Sequence, residues 1–239
     1  MQIQRVVLGV IGVTILLRFP LNGMAQQSAS DKDRGAAQAT VTAFPKDVYP
    51  DSGFRLPLPK REDLDDEGKK VYDLSVNPNS RTIAGLRGPA GIQLYSPKLA
   101  NLEHQLNQYL RYEAGLSGRV RELAILVTAR EMNSQFEWTA HEPVALQEGL
   151  DRNVVEIIKH RGSTVGLPES DAVIIQLGRQ MFGEHKVSAD TFARASKLFD
   201  SRTLVNLVAL MDNYSATASL LAAFDMQLSS AQKPLLPVP

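Results

Sequence analysis

The chain contains no cysteine among its 239 residues. Disulfides, thiolate metal sites and any reaction that runs through a cysteine nucleophile or a thiol redox pair are therefore closed to it. It also lacks net charge, with 26 Lys and Arg against 26 Asp and Glu. No strong field draws it to nucleic acid or to anionic lipid, and a small-molecule or protein partner is expected instead. Alternating apolar–polar runs of useful length are missing, which removes β-sheet and leaves an all-α class. Aromatic residues make up 6% of the chain and include one tryptophan, Trp138. What is present, 44% hydrophobic and 22% charged residues, suffices for one good core with additions at the ends.

The first 25 residues read as an address. Arg5 supplies a positive start, residues 6–17 an apolar run, and Gly23-Met24-Ala25 the small residues of a cleavage site. The run is shorter than the roughly 20 residues a bilayer span needs, and Arg18 closes it. A secretory signal cleaved after Ala25 is expected, with a periplasmic or secreted product and no stable membrane insertion after cleavage; an uncleaved N-terminal anchor is the alternative. Cleavage leaves 24 basic and 26 acidic residues. Residues 26–40 are too polar to repay the entropy of ordering and read as flexible. As far as residue 60, Pro45, Pro50, Pro57 and Pro59 around Phe44, Tyr49 and Phe54 suit an extended arm whose aromatics pack on a neighbouring surface, such as another subunit. Residues 61–228 form the expected helical domain, and residues 229–239, with Pro234, Pro237 and Pro239, a loose or partner-gripping tail.

Within that domain Leu64, Val71, Tyr72 and Leu74 make a short amphipathic helix that Asn77-Pro78 stops. Residues 81–95, rich in glycine and apolar side chains, read as a lid or wall over a pocket. Ser96-Pro97 opens a helix to about Glu113, with Leu99, Leu102, Leu106, Tyr109 and Leu110 on its apolar face. His104 falls on the other side with Asn101, Gln108 and Arg111, and reads as a surface or subunit-contact residue. After a break at residues 115–118 a helix carries residues 119–132, and Asp151, Pro168, Ser188 and Ser201 open further helices. The last of these is long and apolar and holds Tyr214 in the core. His160 and His185 end helices, where a cation suits the helix dipole.

Residues 121–150, RELAILVTAREMNSQFEWTAHEPVALQEGL, hold the best candidate for a working histidine. Two helical patterns meet there at Asn133. Helical spacing brings Ser134, Glu137, Trp138 and His141 close together, so a carboxylate lies one turn from an imidazole. Such a pair is acid–base equipment, half of a metal site, or a plain surface salt bridge. Glu122, set among Val120, Leu123, Ile125 and Leu126, is either paired with Arg119, Arg121 or Arg130, or held in a pocket with a raised pKa. Pro143 removes one N–H bond and kinks the helix beside the histidine.

The run R-E-L-A-I-L, followed by A-R-x-x-N-x-x-F-E-W-x-x-H and then A-x-x-x-G-L, resembles the carboxymuconolactone decarboxylase family, which includes the alkyl hydroperoxidase D-like proteins. The resemblance extends over residues 61–228 and implies a compact multi-helix bundle that assembles as a trimer or hexamer. The family's peroxidase branch uses a glutamate, a C-x-x-C pair and a histidine, and those positions are Glu122, Ser134, Glu137 and His141 here. Neither cysteine is present, so thiol peroxidase chemistry is unavailable. The decarboxylase branch implies loss of carbon dioxide from a small carboxylate or lactone, with no metal or organic cofactor required. In that reading His141 shuttles the proton, Glu137 orients it or shares the proton, and Glu122 completes the relay. Arg130 or another arginine grips a substrate carboxylate, Trp138 walls the pocket, and Asn133 and Ser134 complete the substrate-binding set. Two other readings stay open: a metal site built from Glu122, Glu137 and His141, and a non-catalytic oligomeric binding protein on the same fold.

Overall fold

A computed structural model describes residues 44–238. The signal and cleavage site expected in residues 1–25, and the flexible lead through residue 40, lie outside the described residues. Among the described residues the structure is helical, with no strand. Among these residues no helix is long and apolar enough to cross a membrane.

The fold is built around α4 (Gly118–Glu131). Every residue from Arg121 to Arg130 is buried, because α5 (Gln135–Gln147), α7 (Glu169–Arg179) and α9 (Ser201–Ala223) surround it. A helix enclosed on all sides must be apolar on all sides or neutralise what is not. The apolar members, Leu123 through Val127, form the centre of the main core with Trp138, Ile174, Ile175, Leu207 and Met211. Ser117 starts α4, its hydroxyl accepting from the Val120 N–H. The helix ends at Asn133, whose left-handed backbone (φ 50°) lets Ser134 N–H reach the Ala129 carbonyl at 2.8 Å and Asn133 N–H reach that of Arg130 at 3.1 Å. Asparagine tolerates this conformation better than most residues. The turn reverses the chain and lays α5 back along α4.

A second layer consists of α1 (Asp66–Val76), α2 (Pro89–Gln93) and α3 (Pro97–Gln108), the last extended by a π-turn over Tyr109–Glu113. Val71, Leu94 and Ala100 hold it together. Downstream, α6 (Arg152–Lys159), α7 and α8 (Ala189–Leu198) start as their capping residues direct: Asp151 accepts from Asn153 N–H and Ser188 from Thr191 N–H. The long helix α9 is capped by Asp200, not by Ser201, which is its first residue. The longer reach of the carboxylate engages both the Thr203 N–H and its hydroxyl.

Both ends of the described chain pack on the molecule itself. Phe54 is fully buried against Ile92, Phe136 and Leu221, and Leu236 is buried in the main core. The compact unit accordingly reaches beyond residues 61–228 on both sides. The proline-containing arm, expected to pack its aromatics on a neighbouring surface, and the tail, expected to be loose or partner-gripping, each place one large side chain in a core of the molecule itself. The apolar stripe of α3 behaves in the opposite way: Leu99, Leu102, Leu106 and Tyr109 are exposed, and Ala100 is the buried residue of that helix. The helix turns its polar side inward.

Helix α7 crosses α4 at Gly178, where an added Cβ would collide with the Val127 side chain and lie 2.7 Å from Met211 Cε. Methionine can move, but a β-branched valine on a buried helix cannot. Gly178→Ala should therefore cost about 1–3 kcal/mol by overpacking, a fall of roughly 2–4 °C in Tm per kcal/mol, read by thermal denaturation.

Candidate functional site

The turn at Asn133 sets Glu122 on α4 opposite His141 on α5. Glu122 is fully buried, and both of its oxygens are used. Oε1 accepts from Arg121 Nε at 2.9 Å, and Oε2 lies 2.7 Å from His141 Nδ1. Arg121 is fixed in turn by the Arg111 carbonyl (3.1 Å) and by Glu148 (3.1 Å). Burial works against ionisation of Glu122, but its bond to His141, the His141 charge, the bond to Arg121 and the charge of Arg111 outweigh it and hold the carboxyl below its ordinary range. An ionised carboxylate only accepts hydrogen bonds, so the Nδ1 of His141 is the donor. The other nitrogen, Nε2, then faces Glu137 Oε2 at 3.5 Å.

Glu137 is the counterpart of Glu122 in every respect. It is buried, and it lies one turn from His141 on the same helix. No side-chain hydrogen bond reaches its carboxyl among the described residues. Burial raises its pKa, only partly opposed by the charges of His141 and Arg111, while neighbouring Glu122 pushes it the same way as burial. Two carboxyls within reach of one imidazole thus have opposite protonation preferences, the environment that separates an acid from a fixed anion. Tyr214 on α9 packs its ring edge-on to His141, centroids 5.2 Å apart at 87°. Burial lifts its hydroxyl far above the usual phenol range, so Tyr214 is neutral and confines the imidazole on its open side.

This group opens onto a cavity between the α1–α3 layer and helices α5 and α9. Its wall includes Glu137, His141, Tyr214, Phe136, Arg111 and residues 81–85. The loop that the sequence placed over a pocket is therefore part of its wall. The cavity encloses about 130 Å³. A cavity of about 150 Å³ accommodates a benzene ring, so this one has room for a small organic group.

The remaining sequence candidates lie elsewhere. Trp138 is fully buried in the main core, its indole N–H bonded to Glu142 and its ring beneath Lys159; it stands behind the site and does not line the cavity. Arg130 donates to the Pro237 carbonyl at 2.8 Å and anchors the C-terminal segment. Asn133 is exposed and accepts from Arg161, and Ser134 is the N-terminal residue of α5 without a side-chain cap. Arg130 lies on α4 and Asn133 in the turn, Ser134 precedes α5 with extended backbone, and Trp138, one residue on from Glu137, leaves α5 in another direction. Conversely, His104 and Arg111 line the cavity, although the sequence suggested a surface role for His104. Their signal was the polar face of α3, with residues 104, 107, 108 and 111 at helical spacing. It was misleading because a polar helix face ordinarily meets solvent, and here it meets an internal cavity. Among the described residues, no group of three or more histidines and acidic side chains is disposed to hold a metal ion. Glu122 and His141 are bonded to each other.

Fold and site define an all-helical protein with a buried carboxylate–imidazole pair and a second carboxyl at the wall of a small cavity. Residues 97–176 match the carboxymuconolactone decarboxylase family. The structure is similar to the crystal structure of an alkylhydroperoxidase AhpD core, an uncharacterized peroxidase-related protein from Ralstonia eutropha JMP134. The TM-score is 0.58 at 13% identity, over 73% of this chain and 92% of that one; this is a likeness of fold. No curated protein matches the sequence. Residues 97–176 are thus similar to the carboxymuconolactone decarboxylase family and the fold to that of an AhpD core, in line with the resemblance of residues 121–150.

The opposite shifts of the two carboxyls have a measurable consequence. A carboxyl whose folded pKa is raised above its ordinary 4.5 binds more protons folded than unfolded, so its contribution to stability is complete below 4.5 and is lost as pH rises through the folded value. Glu137→Gln removes that loss. Its stability relative to wild type, from urea denaturation, should climb as pH rises above 4.5 and level off once the folded carboxyl ionises; a difference that stays constant above pH 4.5 would mean that folding does not raise the Glu137 pKa.

Proposed function

We propose that this protein is a cofactor-independent lyase that removes carbon dioxide from a small carboxylate or lactone by proton transfer through Glu137 and His141. The observation that carries this reading is a carboxyl biased toward its neutral form at the cavity wall, 3.5 Å from an imidazole nitrogen whose other nitrogen is bonded to an ionised glutamate. As the carbon–carbon bond to the departing carboxylate breaks, its electron pair passes to a carbon conjugated with a carbonyl. Glu137 gives its proton to that carbon and becomes a carboxylate. The proton is replaced from solvent through Nε2 of His141, whose imidazolium Glu122 stabilises. Net, one carboxylate and one proton become carbon dioxide and a C–H bond. The enclosed, partly apolar wall favours this step, because loss of carbon dioxide spreads charge that water would otherwise hold in place.

The redox alternative fails on composition. A thiol peroxidase needs a sulfur that attacks peroxide and a second that resolves it, and the chain has no cysteine. A peroxidase-related name on a structural relative therefore does not transfer. Metal binding through Glu122, Glu137 and His141 is the weaker alternative, since a set with one nitrogen ligand holds transition metals poorly. We also infer that the chain is exported, from its first 25 residues, and that it forms a homo-oligomer. The exposed stripe of Leu99, Leu102, Leu106 and Tyr109 supports assembly, as apolar side chains at helical spacing on a free face bury well against a copy of themselves.

Incubation of the purified mature protein with small lactone and unsaturated carboxylic acids, followed by absorbance and by released carbon dioxide, should reveal turnover that falls about 10²–10⁴-fold in His141→Ala. Turnover that survives this substitution would remove His141 from the mechanism.

A further inference from the structure

Arg111 occupies the π-turn that extends α3, and only 8% of it is exposed. It lines the cavity beside Glu137 and His141. Among the described residues, none of its side-chain N–H groups donates a hydrogen bond to the protein, and Nε is enclosed without a partner. The nearest carboxylate oxygen is Glu122 Oε1, 3.8 Å from Nη2. That is too long for a hydrogen bond, and the same oxygen already accepts from Arg121. Glu103 also lines the cavity but does not come within salt-bridge distance of Arg111. A guanidinium is always charged and carries five donors in a planar fork. To bury one without an acceptor is costly unless an anion completes the site.

A second arginine stands close by. Arg81, exposed on the loop that forms one wall of the cavity, lies over the Tyr112 ring at 4.4 Å, and Arg111 lies 5.1 Å from the same ring centre. Arg121 also borders this ring, at 5.5 Å, but its donors are spent on Glu122, Glu148 and a backbone carbonyl. The Tyr112 ring is thus bordered by two arginines of the cavity wall, one buried and one at the rim.

We propose that Arg111, assisted by Arg81, is the carboxylate anchor of the cavity. The assignment rests on the proposed reading of the cavity as a substrate site, and it replaces Arg130, whose Nε is also enclosed without a partner but which does not line the cavity and donates from Nη1 to the C-terminal segment. The anchored carboxylate is one that stays on the substrate. An arginine fork clamped on the departing carboxylate would stabilise the ground state more than the transition state, in which that charge has moved away, and would slow the reaction. Arg111 therefore positions and selects, while Glu137 and His141 carry the proton.

Adipate is a small dicarboxylate, and adipamide is its neutral counterpart. Calorimetric titration of the full-length mature protein with each ligand at pH 7 should show adipate bound and adipamide at least about tenfold weaker. Arg111→Met should weaken adipate about 30-fold, the loss of a charge-assisted bidentate pair, and leave adipamide unchanged; Arg81→Met should weaken it several-fold. His141→Ala should retain adipate binding while turnover disappears. The anchor is overturned if wild type does not bind adipate, if both ligands bind alike, or if Arg111→Met binds adipate as wild type does. If Arg111→Met does not fold, the exposed Arg81→Met decides, and undiminished adipate affinity in it overturns the assignment. Arginine-dependent adipate binding without turnover of any acid would sink the lyase reading and leave the anchor in place.

Discussion

The bond between Glu122 and His141 joins the two helices that make the site, and most of the molecule is arranged so that this bond can exist. A carboxylate buried in the middle of a core helix would ordinarily be neutral or absent. Here it stays ionised because Arg121, itself wedged between a backbone carbonyl and Glu148, occupies one oxygen and the imidazole occupies the other. The ionised state fixes the tautomer of His141, and the tautomer decides which nitrogen meets Glu137. Loss of either partner would leave a buried group unsatisfied, so the pair is structural and chemical at once.

Much of this was legible in residues 121–150. The i,i+4 spacing of Glu137 and His141 survives as a 3.5 Å approach, and Asn133 between two apolar helices did mark a turn. The partner of Glu122 was legible only in part. Arg121 was among the candidates for a paired Glu122, but the approach of His141 depends on the angle at which α5 returns along α4, which no single-helix pattern encodes. The alternatives offered for Glu122, pairing or a raised pKa, were resolved by neighbours on three separate elements. It is paired and depressed, and the raised carboxyl is Glu137.

What a single helix pattern does not encode is which face its neighbours cover. Helix α3 carries a good apolar stripe, and the fold leaves that stripe exposed while placing the polar side, with His104, against a cavity. The same limit applies to the two ends of the chain: proline content reports extended backbone, and the surface on which Phe54 and Leu236 pack is that of the molecule itself.

Glu137, with burial favouring its proton, stands beside an imidazole whose other nitrogen is tied to Glu122. Infrared titration of the mature protein, as a difference between wild type and Glu137→Gln followed upward from pH 4.5, reads that proton without any substrate. The expected result is a carboxylic acid carbonyl band, absent from the variant and shifted in deuterated water, that persists to higher pH than an ordinary glutamate allows. A band already half lost at or below pH 4.5 would contradict it.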